Sequence, residues 1–286
     1  MALTATRQAL CSTRAARIAI ALLCVGPLNC DAADSPKPPV TVNAPVKSSS
    51  AVEHLVVRVR ASWPHDPKSF TQGLVWSDGT LYESVGEYGS SALLEVELES
   101  GRAVRRVELD AKYFGEGLAL AGDRLVQLTW REGQAFVYSR RDFAPLSAPR
   151  YEGEGWGLTW DGSALWMSDG SDTLTVRDAK TLAVLARHKV TIEGRPRDYL
   201  NELEWVNGKI FANVWQSDTI LRIDPQSGRV EAVIDASGLL AMNERTRVDV
   251  LNGIAYDASR KVFLITGKLW PKLFEVDFVS RPALRP

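Results

Sequence analysis

The chain has 286 residues, of which 45% are hydrophobic and 24% charged, an ordinary composition for a globular protein with a sizeable core. Its 34 lysines and arginines nearly balance its 35 aspartates and glutamates, so the formal net charge is −1. A protein that binds nucleic acid or anionic lipid usually carries an excess of positive charge. We therefore expect neither nucleic acid nor a membrane surface as a partner of the folded domain.

The first 33 residues have the pattern of a secretory signal. Three arginines precede an apolar run over 18–28, about half the length that a membrane span needs. We expect export, to the periplasm or out of the cell, in one of two ways. Either the signal is cleaved near Ala32 or Ala33, or the protein is anchored to a membrane through a lipidated Cys30.

Residues 34–51 are rich in Pro and Ser and have too little apolar content to fold, so we interpret them as a disordered linker. The folded, catalytic domain is then 52–280. All three cysteines, Cys11, Cys24 and Cys30, precede this domain. The domain therefore has no disulfide, no cysteine nucleophile and no thiolate metal site.

A short pattern recurs five times in the domain: a polar or aromatic residue, then usually a glycine, then a leucine or isoleucine. We name the first residue of each copy the lead residue. The lead residues are 44, 40, 45 and 51 positions apart, the length of a four-stranded propeller blade. They are Gln72, Glu116, Trp156, Asn201 and Asn252. Because they differ while the framework repeats, the fold gathers five dissimilar side chains around one axis.

Each unit predicts an inner strand, because apolar residues recur two and four positions after the lead residue. A turn of Gly, Asn or Asp residues follows, and then further strands. We expect the aromatic residues four positions after the lead residue to belong to the core between neighbouring blades. They are Trp76, Trp160, Trp205 and Tyr256. The predicted fold is all-β, a five-bladed β-propeller of four-stranded antiparallel blades.

The two ends of the domain complement each other. The fifth unit ends after its third strand, at 273–276, whereas 53–61 alternates as a strand without a unit of its own. We therefore expect the N-terminal strand to complete the last blade and to close the ring, because closure removes the exposed edges of an open sheet.

The lead residues begin the inner strands, and the antiparallel second strands end on the same face of the ring. Trp130, Trp215 and Lys268 lie at or beside those ends, so we expect them around the same mouth as the lead residues. Indoles make an apolar wall, which should raise the pKa of Glu116 by desolvation, while Lys268 opposes this shift. Such a glutamate is suited to proton transfer, although a salt-bridged rim residue is the alternative.

Other catalytic sites fit less well. The only histidines are His54, His65 and His188, which the predicted strands keep apart, so neither a Ser-His-Asp triad nor a histidine metal site follows. The acidic residues of the last two units lack the spacing of a cation-binding loop. We expect no catalytic metal and no cofactor, and leave a structural ion in the axial channel open.

Five segments carry a family resemblance: 70–74, 115–118, 200–205, 250–254 and 266–273, the last of which reads Thr-Gly-Lys-Leu-Trp-Pro-Lys-Leu. In these segments the chain resembles the glutamine cyclotransferases of plants and bacteria, over nearly the whole domain. The resemblance implies a five-bladed propeller that converts the N-terminal glutamine of peptides into pyroglutamate with loss of ammonia. It also implies that no catalytic metal takes part.

The resemblance further implies roles for single residues. Glu116 would be the catalytic glutamate and Lys268 the active-site lysine, with Lys272 as the alternative. The implied substrate contacts are Phe70, Gln72, Trp130, Trp156, Asn201 and Trp215. We add Asn252 because it is the fifth lead residue at the mouth.

This reaction suits the predicted mouth. The α-amine, with a pKa of about 7.7–8.0, must attack in its neutral form, and ammonia must leave protonated. Glu116 can take the proton from the amine and return it to the leaving nitrogen, while an amide, Lys268 or an indole N–H donates to the oxyanion. We expect a monomer whose partners are peptides or proteins with N-terminal glutamine. A non-catalytic peptide-binding propeller and a metal-dependent hydrolase of the lactonase type stay open.

Overall fold

The computed structural model describes residues 51–281. The predicted signal over 1–33 and all but the last residue of the predicted linker lie outside these residues. The described part is all-β, as predicted, apart from one short 3-10 helix at Met242–Arg247. No helix in this part is long and apolar enough to cross a membrane.

Strand β1 (Glu53–Pro64) is followed along the chain by three four-stranded antiparallel sheets. The first contains β2 (Thr71–Ser77), β3 (Thr80–Val85), β4 (Ala92–Glu97) and β5 (Arg102–Glu108). The second contains β6 (Gly115–Ala121), β7 (Arg124–Thr129), β8 (Phe136–Ser139) and β9 (Pro145–Ser147). The third contains β10 (Leu158–Trp160), β11 (Leu165–Met167), β12 (Thr173–Arg177) and β13 (Val184–Lys189).

The rest of the described chain forms a small hairpin and one large sheet. The hairpin, which the sequence pattern did not predict, consists of β14 (Thr191–Ile192) and β15 (Arg195–Pro196). The remaining strands are β16 (Leu200–Val206), β17 (Lys209–Val214), β18 (Thr219–Ile223), β19 (Val230–Asp235), β20 (Leu251–Asp257), β21 (Val262–Gly267) and β22 (Lys272–Ser280). Together with β1 they form an eight-stranded sheet in the order β16-β17-β18-β19-β1-β22-β21-β20.

Strand β1 joins the two halves of the large sheet. It pairs antiparallel with β22 over most of its length, as expected for the strand predicted at 53–61. Its first four residues, Glu53–Val56, also pair parallel with β19, a contact that the sequence did not predict. One strand therefore ties the start of the domain to both of its last two groups of strands.

The core consists of five buried clusters, each shared by two neighbouring groups of strands. The inner strands β2, β6, β10, β16 and β20 contact one another in that order, and β20 also contacts β2. The cluster that contains Leu74 of β2 also contains Ala255 of β20 and Leu264 of β21. The last group of strands therefore packs on the first.

Steric crowding explains why a glycine usually follows a lead residue. A side chain at Gly117 would come within 2.6 Å of the backbone oxygen of Trp156, to which Gly117 N donates a hydrogen bond of 2.7 Å. Gly73 and Gly157, at the same position of their units, likewise lie against the backbone of the next inner strand. The repeated glycine therefore marks the points where consecutive inner strands meet.

Glu202 takes the place of this glycine in the fourth unit. Its fully buried carboxylate accepts hydrogen bonds from Leu74 N at 3.2 Å and Ile254 N at 2.9 Å. Glu204, two residues further on, accepts from Tyr256 N at 3.0 Å. Buried N–H groups without an acceptor are costly, so these carboxylates stabilise the contacts of β16 with β2 and β20.

The aromatic residues four positions after the lead residue are half-buried, and each packs against a core cluster that two neighbouring groups of strands share, as predicted. Trp205, for example, stacks on Trp166 of the neighbouring sheet, with ring centroids 6.1 Å apart. The four aromatic side chains also line a cavity of about 230 Å³.

Candidate active site

One cavity of about 530 Å³ collects nearly all the side chains predicted for the site. Its lining residues are Phe70, Gln72, Phe114, Glu116, Trp130, Arg131, Trp156, Asn201, Trp215, Gln216, Asp249, Val250 and Lys268. Of the predicted residues only Asn252 is missing from this wall. The expected convergence of lead residues and second-strand ends is therefore present in the structure.

Irregular strand pairing occurs at the lead residues. The register between the inner and second strands shifts at the lead residue in four of the five units, those of Gln72, Glu116, Asn201 and Asn252. A bulge leaves a residue unpaired and re-aims its side chain, and bulges are common beside active sites. The bulges explain how residues of continuous strands present their side chains at the end of the ring.

Glu116 is the buried acid of the cavity, with only 5% of its surface exposed. Gln72 Nε2 donates to Glu116 Oε1 at 2.9 Å, and no other side chain of the described residues donates to this carboxylate. Burial raises the pKa of Glu116 well above its ordinary value, and the nearby cation of Lys268 lowers it less strongly. A buried carboxylate with one unoccupied oxygen is suited to accept and return a proton.

Lys268 is the buried base of the cavity and is 4% exposed. Its Nζ lies 4.8 Å from the centroid of the Phe70 ring. Burial lowers the pKa of Lys268, while Glu116 acts in the opposite direction. Among residues 51–281 its ammonium forms no ion pair within 4.0 Å, so it faces the cavity as an available donor. Lys272, the sequence-based alternative, instead pairs with Glu244 at 2.6 Å.

The loop that carries Lys268 is fixed by a buried histidine. His65 Nδ1 donates to Trp270 O at 2.7 Å, and its Nε2 lies 3.1 Å from Glu83 Oε1. Burial alone would lower the pKa of His65, but the Glu83 carboxylate outweighs it and raises the pKa. Since both ring nitrogens face acceptors, the charged imidazolium fits this position, which is structural rather than catalytic.

Five aromatic rings form the apolar wall of the cavity. Phe114 packs edge-on against Phe70 and Trp130, with centroid distances of 6.0 and 5.7 Å. Trp156 and Trp215 meet at 5.6 Å and 82°. Edge-to-face packing fixes ring orientation, so these side chains define a cavity of set shape.

Two of the indole N–H groups are already occupied. Trp130 Nε1 and Trp156 Nε1 donate to the same oxygen, Glu154 Oε2, at 2.8 and 3.0 Å. The expectation that an indole donates to the oxyanion is therefore wrong for these two tryptophans. Their rings contribute apolar surface, and the donors must be sought among Lys268, the amides and the indole of Trp215.

Asn201 lines the cavity and is 2% exposed, and its Oδ1 has no hydrogen-bond partner within the described part of the chain. Asn252 is fully buried behind Gln72, donating to Thr71 O at 3.0 Å and Gln72 Oε1 at 3.3 Å. The predicted substrate contact from Asn252 is thus corrected. This side chain orients Gln72, which in turn holds Glu116.

Three further side chains at the site, Phe114, Glu154 and Val250, were not predicted, although the sequence contains a signal for them. Each lies two residues before a lead residue, at the position that Phe70 occupies in the first unit. Tyr199, the fifth residue at this position, contacts Trp215 with ring centroids 5.9 Å apart. Side chains at the position two before the lead residue therefore either line the cavity or contact the residues of its wall.

The other large cavity has different chemistry. It measures about 500 Å³ and lies between the two halves of the eight-stranded sheet. Three of its charged lining groups are paired with one another, since Lys209 and Arg222 both contact Glu231, at 2.7 and 3.6 Å. Within residues 51–281, no group of three or more His, Cys, Asp or Glu side chains is placed to hold a metal ion.

The fold and the cavity together define an all-β protein with a buried carboxylate and a buried amine in one aromatic cavity. The chain matches the family model described as glutamine cyclotransferase over residues 36–278. It is 43% identical over 237 residues to a glutaminyl-peptide cyclotransferase of Arabidopsis thaliana, covering 80% of this chain and 74% of that protein.

A crystal structure of glutaminyl cyclase from Myxococcus xanthus has a similar fold, with a TM-score of 0.73 at 39% identity. The match covers 80% of this chain and 98% of that one. The chain therefore belongs to the glutamine cyclotransferase family, and the resemblance inferred from its motifs is confirmed.

Proposed function

We propose that this protein converts the N-terminal glutamine of peptides and proteins into pyroglutamate and releases ammonia. Family membership supports the reaction, and the cavity supplies the groups that it needs. The observation that carries the proposal is the carboxylate of Glu116, which is buried, has a raised pKa and holds one oxygen free beside the cavity.

The reaction is an intramolecular acyl transfer. The neutral α-amine attacks the side-chain carboxamide carbon, a C–N bond forms, and the bond to the amide nitrogen then breaks. Glu116 takes a proton from the attacking amine and delivers it to the leaving nitrogen, so ammonia departs and the carboxylate is regenerated. Gln72 occupies Oε1 of Glu116, which leaves Oε2 for this transfer.

The oxyanion of the tetrahedral intermediate needs donors that do not reorganise. Lys268 supplies an ammonium without a permanent ion pair, and Asn201 supplies a buried amide in the cavity lining. A donor of this kind contributes roughly 3–4 kcal/mol to the transition state. The amine and the carboxamide belong to the same residue, so the enzyme has only to hold the glutamine side chain folded toward its own amine. The aromatic wall would do this.

For the fold we propose a five-bladed propeller that β1 closes as the outer strand of the last blade. Two observations support this fold: the inner strands contact one another in a closed cycle, and each of the five buried clusters is shared by two neighbouring groups of strands. A chain that begins at Ala51 should fold and be active, whereas one that begins at Ser62 should unfold or aggregate because β22 and β19 lose their partner. A stable, active protein beginning at Ser62 would contradict the closure.

Three further expectations complete the proposal. The protein is exported by its N-terminal signal, acts as a monomer, and needs no catalytic metal because acid–base groups and fixed donors suffice for the cyclisation. Turnover after exhaustive chelation, with the metal content measured, tests the last point. Activity that is lost and then restored by zinc or calcium would contradict it.

The direct test uses purified protein and two peptides that differ only in their first residue, glutamine or asparagine. Mass spectrometry should show loss of one ammonia from the glutamine peptide and none from the asparagine peptide, because the shorter side chain cannot reach its own amine in the same ring. Binding without turnover would favour a peptide-binding propeller. Metal-dependent ester or lactone hydrolysis without cyclisation would favour a hydrolase.

A further inference from the structure

Trp130 and Trp156, two tryptophans of the cavity wall, both donate a hydrogen bond to the carboxylate of Glu154. Its Oε2 accepts from Trp130 at 2.8 Å and from Trp156 at 3.0 Å. These indoles come from different units of the repeat, one at the end of β7 and one just before β10. A single oxygen therefore sets the orientation of the two indole rings relative to each other.

The backbone around Glu154 is held as firmly as its side chain. Gly155 N donates to Trp130 O at 2.9 Å, and Trp156 N donates to Ser168 O at 3.0 Å. A side chain at position 155 would collide with the Tyr151 hydroxyl and come within 2.9 Å of a backbone oxygen, so glycine is required there. The segment therefore holds the Glu154 carboxylate at a fixed position between the rings of Trp130 and Trp156.

Arg131 completes the arrangement from the solvent side. Its Nε donates to Glu154 Oε1 at 3.0 Å, and its guanidinium carbon lies 3.6 Å from the centroid of the Trp130 ring. Arg131 and Glu154 are 59% and 39% exposed, so their ion pair contributes little by itself. The charge-assisted bonds from the two indoles are the stronger contacts.

We propose that Glu154 is a positioning residue for the cyclisation, which orients Trp130 and Trp156 so that the glutamine side chain is held for attack by its own amine. The inference rests on the proposed function and deepens it. Glu154 does not touch the reacting atoms in this account; it acts through the two rings, whose N–H groups it occupies and whose planes it fixes.

Glu154 also contributes negative charge near Glu116, and this second effect needs a matched control. Both Glu154 and Glu132 raise the pKa of Glu116 through their charge. Glu132 accepts from the Tyr88 hydroxyl at 2.9 Å, whereas the indole N–H groups of Trp130 and Trp156 both donate to Glu154. Glu132→Gln therefore removes a comparable charge while the tryptophans stay in place.

The experiment compares Glu154→Ala, Glu154→Gln and Glu132→Gln in the full chain, with steady-state kinetics on a glutamine peptide and NMR of the indole N–H groups. In Glu154→Ala we expect KM to rise about tenfold with a smaller change in kcat, because charge-assisted bonds to the rings are lost. Glu154→Gln keeps an acceptor oxygen and should recover part of this loss. Glu132→Gln should leave KM within about twofold.

The NMR measurement separates this inference from the proposed function. The resonances of Trp130 and Trp156 should move upfield in Glu154→Ala, while that of Trp215 stays. If the wild-type protein did not cyclise the peptide, the proposed function would fail and the positioning role with it, whatever the spectra showed. An active wild type with an unchanged KM in Glu154→Ala, or an equal rise of KM in Glu132→Gln, would overturn the positioning role alone.

Discussion

Glu116 and Glu202 are both glutamates of the inner strands, both buried, and both have a pKa that burial raises well above its ordinary value. Their partners differ. Both oxygens of Glu202 accept backbone N–H groups, from Leu74 and Ile254. Glu116 has one oxygen bound by Gln72 and the other beside a cavity that also contains Lys268.

The difference shows that a raised pKa alone does not identify a catalytic carboxylate. Desolvation acts on both side chains, but only one of them has a free oxygen, a neighbouring donor and space for a substrate. Glu202 stabilises the contact between inner strands, and Glu116 is available for chemistry. The two can be told apart experimentally because one should control stability and the other turnover.

The largest effect on stability is expected for Glu202→Ala. The substitution leaves the N–H groups of Leu74 and Ile254 buried without an acceptor, so the free energy of unfolding should fall by about 2–4 kcal/mol near neutral pH. Chemical denaturation measures this change. An unchanged midpoint would mean that the two N–H groups find other acceptors and that Glu202 does not stabilise the contacts of β16 with β2 and β20.

The same substitution should have a characteristic pH dependence. Because the folded pKa of Glu202 is raised, its contribution to stability is fully present below its ordinary pKa of 4.5 and is lost as the pH rises through the folded value. The loss of stability in Glu202→Ala should therefore be greatest in acid and shrink toward alkaline pH. Denaturation curves at several pH values would show the opposite trend if the buried carboxylate were stabilised in its charged form.

Next in size is the effect of Lys268→Met on turnover. Removing a donor to the oxyanion should lower kcat by about 10²-fold, and removing its charge should raise the pKa of Glu116 further. Lys272→Met is the matched control, because Lys272 pairs with Glu244 and does not line the cavity. Equal losses in the two variants would contradict the assignment of Lys268.

The smallest predicted effect is the shape of the pH profile of kcat at saturating peptide. Turnover should fall on the acid side as Glu116 is protonated, at a pH above the ordinary value of 4.5. It should also fall on the alkaline side as Lys268 loses its proton, below its ordinary 10.5. The alkaline limb should vanish in Lys268→Met; its persistence there would assign that limb to another group.

Much of the site could be predicted from sequence because the repeat fixes which residues begin and end each strand. The lead residues and the ends of second strands share one face in any such ring, so Glu116, Trp130 and Lys268 could be placed together. Asn252 was misplaced because the repeat gives the position of a side chain and not its depth. Its amide donates to Gln72 Oε1, and the side chain is fully buried outside the cavity lining.

Contacts between units were harder to predict. The repeat gives the position of Glu154, but its role depends on two indoles from different units, a relation that no local pattern encodes. The parallel pairing of β1 with β19 depends on which groups of strands become neighbours, and the short segment at Met242–Arg247 buries no residue that could give it a periodic pattern. Local periodicity predicts strands, whereas packing decides these details.

The most direct test of the account compares Glu116→Gln and Glu202→Gln side by side, by turnover of a glutamine peptide, with folding checked by circular dichroism. An amide keeps the shape of the side chain but cannot shuttle a proton. Glu116→Gln should therefore lose about 10²–10⁴ in kcat, while Glu202→Gln, though less stable, should stay within about threefold of wild type. A folded Glu116→Gln variant with turnover near that of wild type would contradict the central claim that this carboxylate moves the proton.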